Sequence, residues 1–407
     1  MAWFAAGDMH HSWRNDAHTL ATAAALPHRN RPPGGRDLYS NTHYVLAQQI
    51  GEFVTGKPWG QVLQELVFEP LGMAQTSFVT SARCAQRGLA TAYRPAGVGF
   101  QRCAWPVQDG AATGVVSTLA DLARWHRNLR RNRLDPPDLV PQLLHDEPFA
   151  DGSGSCYRLG MREGRLFGRR VVGHAGGIPG CKTESYWFPD EDLSVVVLSN
   201  REDLRESLLS ARIAGALLGE PRWPESRPTE LVGHEGLYVD IASGRVLVVE
   251  HDAGFLHVNG SHFVRSGQTV FNSTHPFFPR QLVFNDASTA VVSVEPGHTA
   301  EYRRGQVSPV PAGEVPELLG RYHQTGLPWP VTLVSGDGGQ LSLVAGPDGP
   351  ARCAMPAGRI GPDLYVLGER AGEHSPTSVG VLRGADGGVR AIQIDGYRLL
   401  GLTLERL

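Results

Sequence analysis

The chain has 407 residues, of which 41% are hydrophobic and 19% are charged, and its formal net charge is -3. This length predicts two or three domains rather than a single core. The small net charge gives no reason to expect nucleic acid or an anionic membrane as a partner. No apolar run reaches the ~20 residues that a transmembrane helix needs, and residues 1–8 lack the pattern of a signal peptide. These features favour the cytoplasm without fixing the compartment.

The cysteines do not form a recognisable pattern. There are five, they are widely spaced, and no Cys-x-x-Cys pair occurs. The sequence therefore predicts neither a disulfide framework nor a zinc site, and we expect no metal.

Helix signals dominate the first part of the chain. Residues 1–38 show no clear periodicity, but apolar residues recur at helical spacing after Asn41, and Gly56 suits the end of that helix. A second helix is expected over 60–68. Either Ser117 or Thr118 is expected to cap a third helix.

Strand signals follow between 156 and 200. Short apolar or aromatic runs occupy 171–172, 185–188 and 193–198, and a helix over about 203–218 closes this part. Three prolines within 221–228 cannot continue a helix and predict a linker.

The second half consists of short strand signals between Gly, Asn and Asp turns. Two series of strands begin alike, at 233–238 and at 319–322. This repetition predicts two related antiparallel barrels, and a single sandwich is the alternative. The expected division is a mixed helix-and-strand domain over 1–220, one barrel over 229–308 and another over 314–407, an α+β fold class in total.

Tyr39-Ser40-Asn41 stands at a turn directly before the first predicted helix. A tyrosine there can act as a general base if nearby cations stabilise its phenolate, and Asn41 can hydrogen-bond to a neighbouring lysine or to a substrate amide. A buried tyrosine at a helix start is the alternative interpretation of this motif.

The segment Gly173-His174-Ala175-Gly176-Gly177 is more specific. Glycine-rich backbone lets a substrate approach closely, and the Gly177 N–H can stabilise a developing oxyanion. His174 can orient a base or help to protonate a leaving group. The alternative is a glycine turn that carries a structural histidine.

Together these motifs resemble the penicillin-recognising serine hydrolases, whose members carry SxxK, then YxN, then KTG or HxG. The flanking sequence agrees: 32–41 is similar to the family's "PPG…YSN" segment, 68–73 to "EPLGM" and 114–123 to its "ST-DLA" helix entry. The resemblance covers about 30–218. The two predicted barrels make the chain most similar to the D-aminopeptidase-like branch.

The resemblance implies a β-lactamase-like α+β domain followed by two barrels, and release of N-terminal D-amino acids through an acyl-serine. Tyr39, Asn41 and His174 would be catalytic, Gly176 and Gly177 would contact the substrate, and no cofactor is implied. A loop of the last barrel would supply Glu369 or Glu373 to the substrate amine; a solvated charged hairpin is the alternative there. The expected partner is a small peptide or amide with a free N-terminus. A homodimer is suggested by resemblance alone.

The family's nucleophile motif is missing. The only lysines are Lys57 and Lys182; Val54 and Pro179 stand three residues before them, so no Ser-x-x-Lys occurs. Only 38 residues precede Tyr39, which is less than the family's spacing. We therefore expect no acyl-enzyme activity from the chain as given. The chain is expected to be a truncated form of an active hydrolase; the alternatives are a catalytically inactive peptide-binding protein or one half of a two-chain protein. A β-lactamase-like esterase or amidase is the alternative activity.

Overall fold

In the computed structural model the chain forms an α+β domain followed by two closed β-barrels. The fold class is confirmed, and the single sandwich considered for the second half is wrong. The structure describes residues 16–25, 30, 32–35, 38–79, 88–103, 110–240, 243–285, 287–295, 298–327, 329–345, 353–368, 376–396 and 399–407.

Two of the helix ends predicted from local signals are confirmed. Gly56 ends the helix after Asn41 with a left-handed φ of 66°, and the Thr118 hydroxyl accepts a hydrogen bond from the Asp121 N–H at 3.3 Å. The segment predicted as one helix over 60–68 contains a π-helical turn at Gln64–Phe68. The described helices are α1 (Asp16–Ala25), α2 (Asn41–Thr55), α3 (Trp59–Leu63), α4 (Glu69–Leu71), α5 (Gly110–Thr113), α6 (Leu119–Arg131), α7 (Leu139–Leu143), α8 (Glu206–Leu218), α9 (Pro228–Leu231) and α10 (Val315–Leu318). Within the described residues, no helix has both the length and the apolar character to span a bilayer.

The α+β domain contains two small two-stranded sheets and one four-stranded antiparallel sheet. The small sheets pair β1 (Ser77–Phe78) with β4 (Val115–Val116) and β2 (Tyr93–Ala96) with β3 (Gly99–Arg102). The larger sheet has the order β5 (Arg162–Leu166), β6 (Arg169–Ile178), β7 (Cys181–Phe188) and β8 (Leu193–Ser199).

Helices α6 and α8 cover opposite faces of the four-stranded sheet. His126 of α6 hydrogen-bonds the Ser185 hydroxyl at 2.7 Å, whereas Ser207 of α8 donates to Glu184 at 2.7 Å. Successive residues of a strand point to opposite faces, so the neighbours Ser185 and Glu184 identify the two sides. In β6, which pairs with β7, His174 lies opposite Ser185 and therefore faces the α6 side.

Both barrels have eight strands, and their first and last strands are built alike. Each opens with a Gly-x-Tyr sequence whose tyrosine is fully buried, Tyr238 in one and Tyr322 in the other. In each last strand an arginine, Arg304 or Arg406, lies within 3.2 Å of the position that a Cβ on the opening glycine would take. The first barrel comprises β9 (Gly236–Val239), β10 (Val246–Asp252), β11 (Phe255–Val258), β12 (Ser261–Arg265), β13 (Val270–Ser273), β14 (Gln281–Phe284), β15 (Ala290–Glu295) and β16 (His298–Gly305). The second comprises β17 (Gly320–His323), β18 (Val331–Ser335), β19 (Leu341–Ala345), β20 (Cys353–Gly361), β21 (Leu364–Leu367), β22 (Thr377–Arg383), β23 (Val389–Gly396) and β24 (Leu399–Arg406).

Candidate active site

Tyr39 and Asn41 lie where the chain enters α2. Ser40 between them is extended, with φ -147° and ψ 121°, and Asn41 is the first residue of the helix. Both Tyr39 and Asn41 are half-buried. The turn thus places Tyr39 and Asn41 on either side of Ser40, at the N-terminal end of α2.

His174 lies inside strand β6 rather than in a glycine turn. The Gly173–Gly177 segment belongs to the ten-residue strand Arg169–Ile178 and pairs with β7 along its whole length. Packing explains why position 173 is a glycine: a Cβ there would stand 1.8 Å from the Ser185 carbonyl oxygen. The absence of that Cβ lets β6 and β7 approach closely beside His174.

Three rings meet at the centre of the site. The ring centroids of Tyr39 and His174 are 5.9 Å apart, and Tyr157 lies 5.9 Å from each of them. The structure therefore brings together two of the residues that the motifs singled out, Tyr39 and His174. It adds Tyr157, which stands just before β5 and was not predicted as a site residue.

Hydrogen bonds define how His174 is presented. Its Nδ1 contacts the carbonyl oxygen of Ala175, which can only accept, so Nδ1 carries a proton. In the neutral imidazole, Nε2 is then the acceptor, and the Tyr157 hydroxyl donates to it at 3.2 Å. Burial is the main cause that raises the pKa of Tyr157, so its phenol keeps the proton for this bond.

A buried charge lies next to the three rings. Arg162 of β5 is 5% exposed, and its Cζ is 4.7 Å from the centroid of Tyr157 and 5.7 Å from that of Tyr39. Glu184 of β7 is fully buried, and burial raises its pKa to about 7. A carboxyl group with that pKa is about half protonated at neutral pH, which leaves part of the Arg162 charge without compensation.

The two glycines predicted to contact the substrate, Gly176 and Gly177, lie on the part of β6 that extends beyond β5. A Cβ at Gly176 would stand 2.4 Å from Thr183 Oγ1. Gly177 is exposed, with Lys182 Nζ about 3.5 Å from where its Cβ would be. A side chain at Gly176 would therefore require Thr183 to move, whereas a Cβ at Gly177 would make only ordinary van der Waals contact with Lys182.

Neither lysine of the chain takes the place of the family's missing lysine. Lys57 forms an exposed ion pair with Glu65 at 2.5 Å. Lys182 lies on the α8 side of the sheet, 3.9 Å from Glu206. Both lysines are therefore paired with carboxylates.

The last two predicted site residues, Glu369 and Glu373, lie outside the described residues. Their roles stay predictions. The residues that the motifs missed are Tyr157, Arg162 and Glu184. The Ser155-Cys156-Tyr157-Arg158 segment drew attention only as a failed match to Ser-x-x-Lys, and no local signal marked Arg162 or Glu184.

Comparison with known proteins gives several relatives that are named D-aminopeptidase. A D-aminopeptidase of Cereibacter sphaeroides is 24% identical over 89% of this chain and 69% of its own length. A D-aminopeptidase of Gluconobacter oxydans is 27% identical over 54% of this chain and 42% of its own length. One from Brucella anthropi is 25% identical over 82% of this chain and 63% of its own length. The chain thus spans 42% to 69% of the length of these relatives.

Among solved structures, the octameric penicillin-binding protein homologue of Pyrococcus abyssi aligns with a TM-score of 0.47 at 20% identity. It covers 71% of this chain and 70% of its own. That likeness is too distant to bear on function. The family model described as beta-lactamase matches residues 2–220, more than half of the chain. The motifs at Tyr39 and His174 fall within the matched region, and the chain therefore belongs to the beta-lactamase family.

Proposed function

We propose that this chain carries the base and substrate-binding side of a serine hydrolase that releases N-terminal D-amino acids from short peptides or amides. The observation that carries the proposal is the meeting of Tyr39 and His174, with ring centroids 5.9 Å apart. Motifs from two distant segments thereby form one cluster. The similarity to proteins named D-aminopeptidase supports the substrate class.

In the proposed reaction a serine hydroxyl attacks the substrate carbonyl, and its proton passes to a base. Tyr39 would act as that base, Asn41 would bind the substrate amide, and His174 would stabilise the tetrahedral intermediate or organise the base. The Gly177 N–H would supply half of the oxyanion hole, and Gly176 would let the substrate approach. The leaving amine takes up a proton, and water then releases the acyl group. Glu369 or Glu373 would pair with the substrate's ammonium group.

A second candidate function is peptide binding without turnover. Two observations favour it: the sequence contains no Ser-x-x-Lys, and both lysines are paired with carboxylates elsewhere. A β-lactamase-like esterase or amidase uses the same acyl-enzyme steps, so the site geometry does not separate that activity from the first proposal.

The test compares the chain as given with the product of the same reading frame extended by about 110 codons upstream of Met1. The proposal predicts a Ser-x-x-Lys in the extension, labelling of its serine by a fluorophosphonate, and hydrolysis of D-Ala p-nitroanilide. The chain as given should show neither labelling nor turnover. An extension without Ser-x-x-Lys would support the binding protein instead. Good ester turnover without release from the D-anilide would support the esterase.

A further inference from the structure

The loop between β13 and β14 of the first barrel, residues 274–280, docks against the four-stranded sheet behind the site. We call it the docking loop. Phe277 is fully buried and packs in one cluster with side chains of the α+β domain. Its ring lies 5.5 Å from that of Tyr186 on β7. His275 is 9% exposed and stands 3.8 Å from the Glu184 carboxylate.

Two strand glycines make room for the docking loop. A Cβ at Gly164 of β5 would stand 2.1 Å from the Pro276 carbonyl oxygen. A Cβ at Gly173 of β6 would stand 3.2 Å from Phe277 Cζ. The Cys156 thiol lies 3.5 Å from the Phe277 carbonyl oxygen and can donate to it. The barrel is therefore fitted to the sheet by close backbone contacts as well as by an apolar side chain.

Phe278 of the docking loop packs against the Arg162 guanidinium. The ring centroid of Phe278 is 4.1 Å from the Arg162 Cζ, closer than the centroids of Tyr157 at 4.7 Å or Tyr39 at 5.7 Å. All three distances lie within the range of cation–π contacts. Arg162 also donates to the Cys156 sulfur at 3.9 Å. A cation that is 5% exposed is weakly screened by water, so its field acts strongly on these rings.

We propose that Arg162 is a positioning residue of this site. Its guanidinium holds the rings of Tyr39 and Tyr157 around His174 and stabilises the tyrosinate form of Tyr39, and Phe278 of the docking loop fixes Arg162 in place. The part of this inference that concerns Tyr39 as a base rests on the proposed function. A permanent positive charge nearby favours phenolate over phenol and neutral imidazole over imidazolium.

Other titratable groups surround Arg162 and the rings, and their charge states determine how far the field of Arg162 is offset. Burial lowers the pKa of His275 to about 3, so this histidine adds no positive charge near neutral pH. Ionisation of Glu184 around pH 7 offsets part of the Arg162 charge. The groups around the cluster are Tyr44 from α2, Cys156 and Tyr157 from the segment before β5, His174 from β6, Glu184 from β7 and His275 from the docking loop.

The experiment titrates Tyr39 directly in the full chain, without any need for turnover. Protein labelled with [13Cζ]tyrosine is followed by NMR between pH 7 and 11, and the Tyr39 signal is assigned with Tyr39→Phe. The inference predicts that Arg162→Met moves the Tyr39 midpoint up by about one pH unit or more. Arg162→Lys should restore most of the wild-type midpoint, and Phe278→Leu should give a smaller upward change.

The matched control is Arg165→Met, because Arg165 lies on the same strand but is exposed and donates to the Gly168 carbonyl. An unchanged Tyr39 midpoint in folded Arg162→Met would overturn the inference. If Arg162→Met does not fold, Phe278→Leu and Arg162→Lys decide. The inference is overturned if the Tyr39 midpoint in Phe278→Leu equals that of the wild type while the midpoint in Arg162→Lys, which keeps the positive charge, is higher. A displaced midpoint in this chain, together with an upstream-extended protein that contains Ser-x-x-Lys but lacks D-amidase activity, would refute the proposed function and leave the positioning role of Arg162 standing.

Discussion

At the scale of single residues, the site depends on buried groups that are each held in one protonation state. Tyr157 keeps its proton because burial raises its pKa, and its hydroxyl can then donate to His174. Burial also lowers the pKa of His126 to about 4, so this histidine is neutral between the hydroxyls of Ser185 and Ser194. Glu184 differs from these residues because its pKa of about 7 makes it titrate near physiological pH.

Glu184 predicts a specific pH dependence of stability. Its folded-state pKa of about 7 lies above the ordinary 4.5, so the folded protein holds this proton more tightly than the unfolded chain. The resulting stabilisation is fully present below pH 4.5 and is lost as the pH rises to about 7. Between pH 5 and 8 the loss should be about 2 kcal/mol. Glu184→Gln cannot ionise, so its free energy of unfolding should fall less over this range.

Urea unfolding of wild type and Glu184→Gln at pH 5 and pH 8 measures the difference. Glu301→Gln is the control, because Glu301 is exposed on the first barrel. The assignment to Glu184 fails if wild type and Glu184→Gln lose the same free energy of unfolding between the two pH values.

At the scale of elements, two stretches of backbone position the site: the start of α2 and the middle of β6. Helix α2 could be predicted because its signals are local, down to its last turn at Gly56. Its apolar periodicity was less informative, since Val45 is fully buried whereas Ile50 and Phe53 are 63% and 89% exposed. Periodicity identifies a helix, but the packing of each face depends on neighbours that the pattern does not specify.

Among the strand positions of the site, Gly173 is expected to be the most sensitive to substitution. Gly173→Ala would place its Cβ 1.8 Å from the Ser185 carbonyl oxygen, which is paired backbone and cannot move aside. We expect a loss of about 3 kcal/mol in the free energy of unfolding. Gly99→Ala is the control because no atom lies within 4 Å of its Cβ position. Denaturant unfolding compares the two variants, and equal stabilities would show that β6 and β7 need no close approach at Gly173.

At the scale of the whole molecule, the first barrel contributes to the environment of the site. Cys156 and Phe277 are 121 residues apart in the chain, yet they touch behind β5. The repeat between 233–238 and 319–322 was enough to predict two barrels, because each opens with the same Gly-x-Tyr pattern. It could not predict the docking loop, because His275 and Phe278 match the sheet only through three-dimensional packing. For the same reason, no sequence motif indicated Arg162 or Glu184, whereas the motifs did indicate Tyr39 and His174, which are neighbours in the structure.

The proposed function, a hydrolase selective for D-amino acids, depends on the cluster around Tyr39 and His174. It is tested most directly by kcat/KM for D-Ala and L-Ala p-nitroanilides, measured on the upstream-extended protein and its Tyr39→Phe variant. We expect clear preference for the D-substrate and a fall of about 100-fold or more in Tyr39→Phe, which removes the proposed base. Equal turnover of both enantiomers, or full activity in Tyr39→Phe, would contradict it.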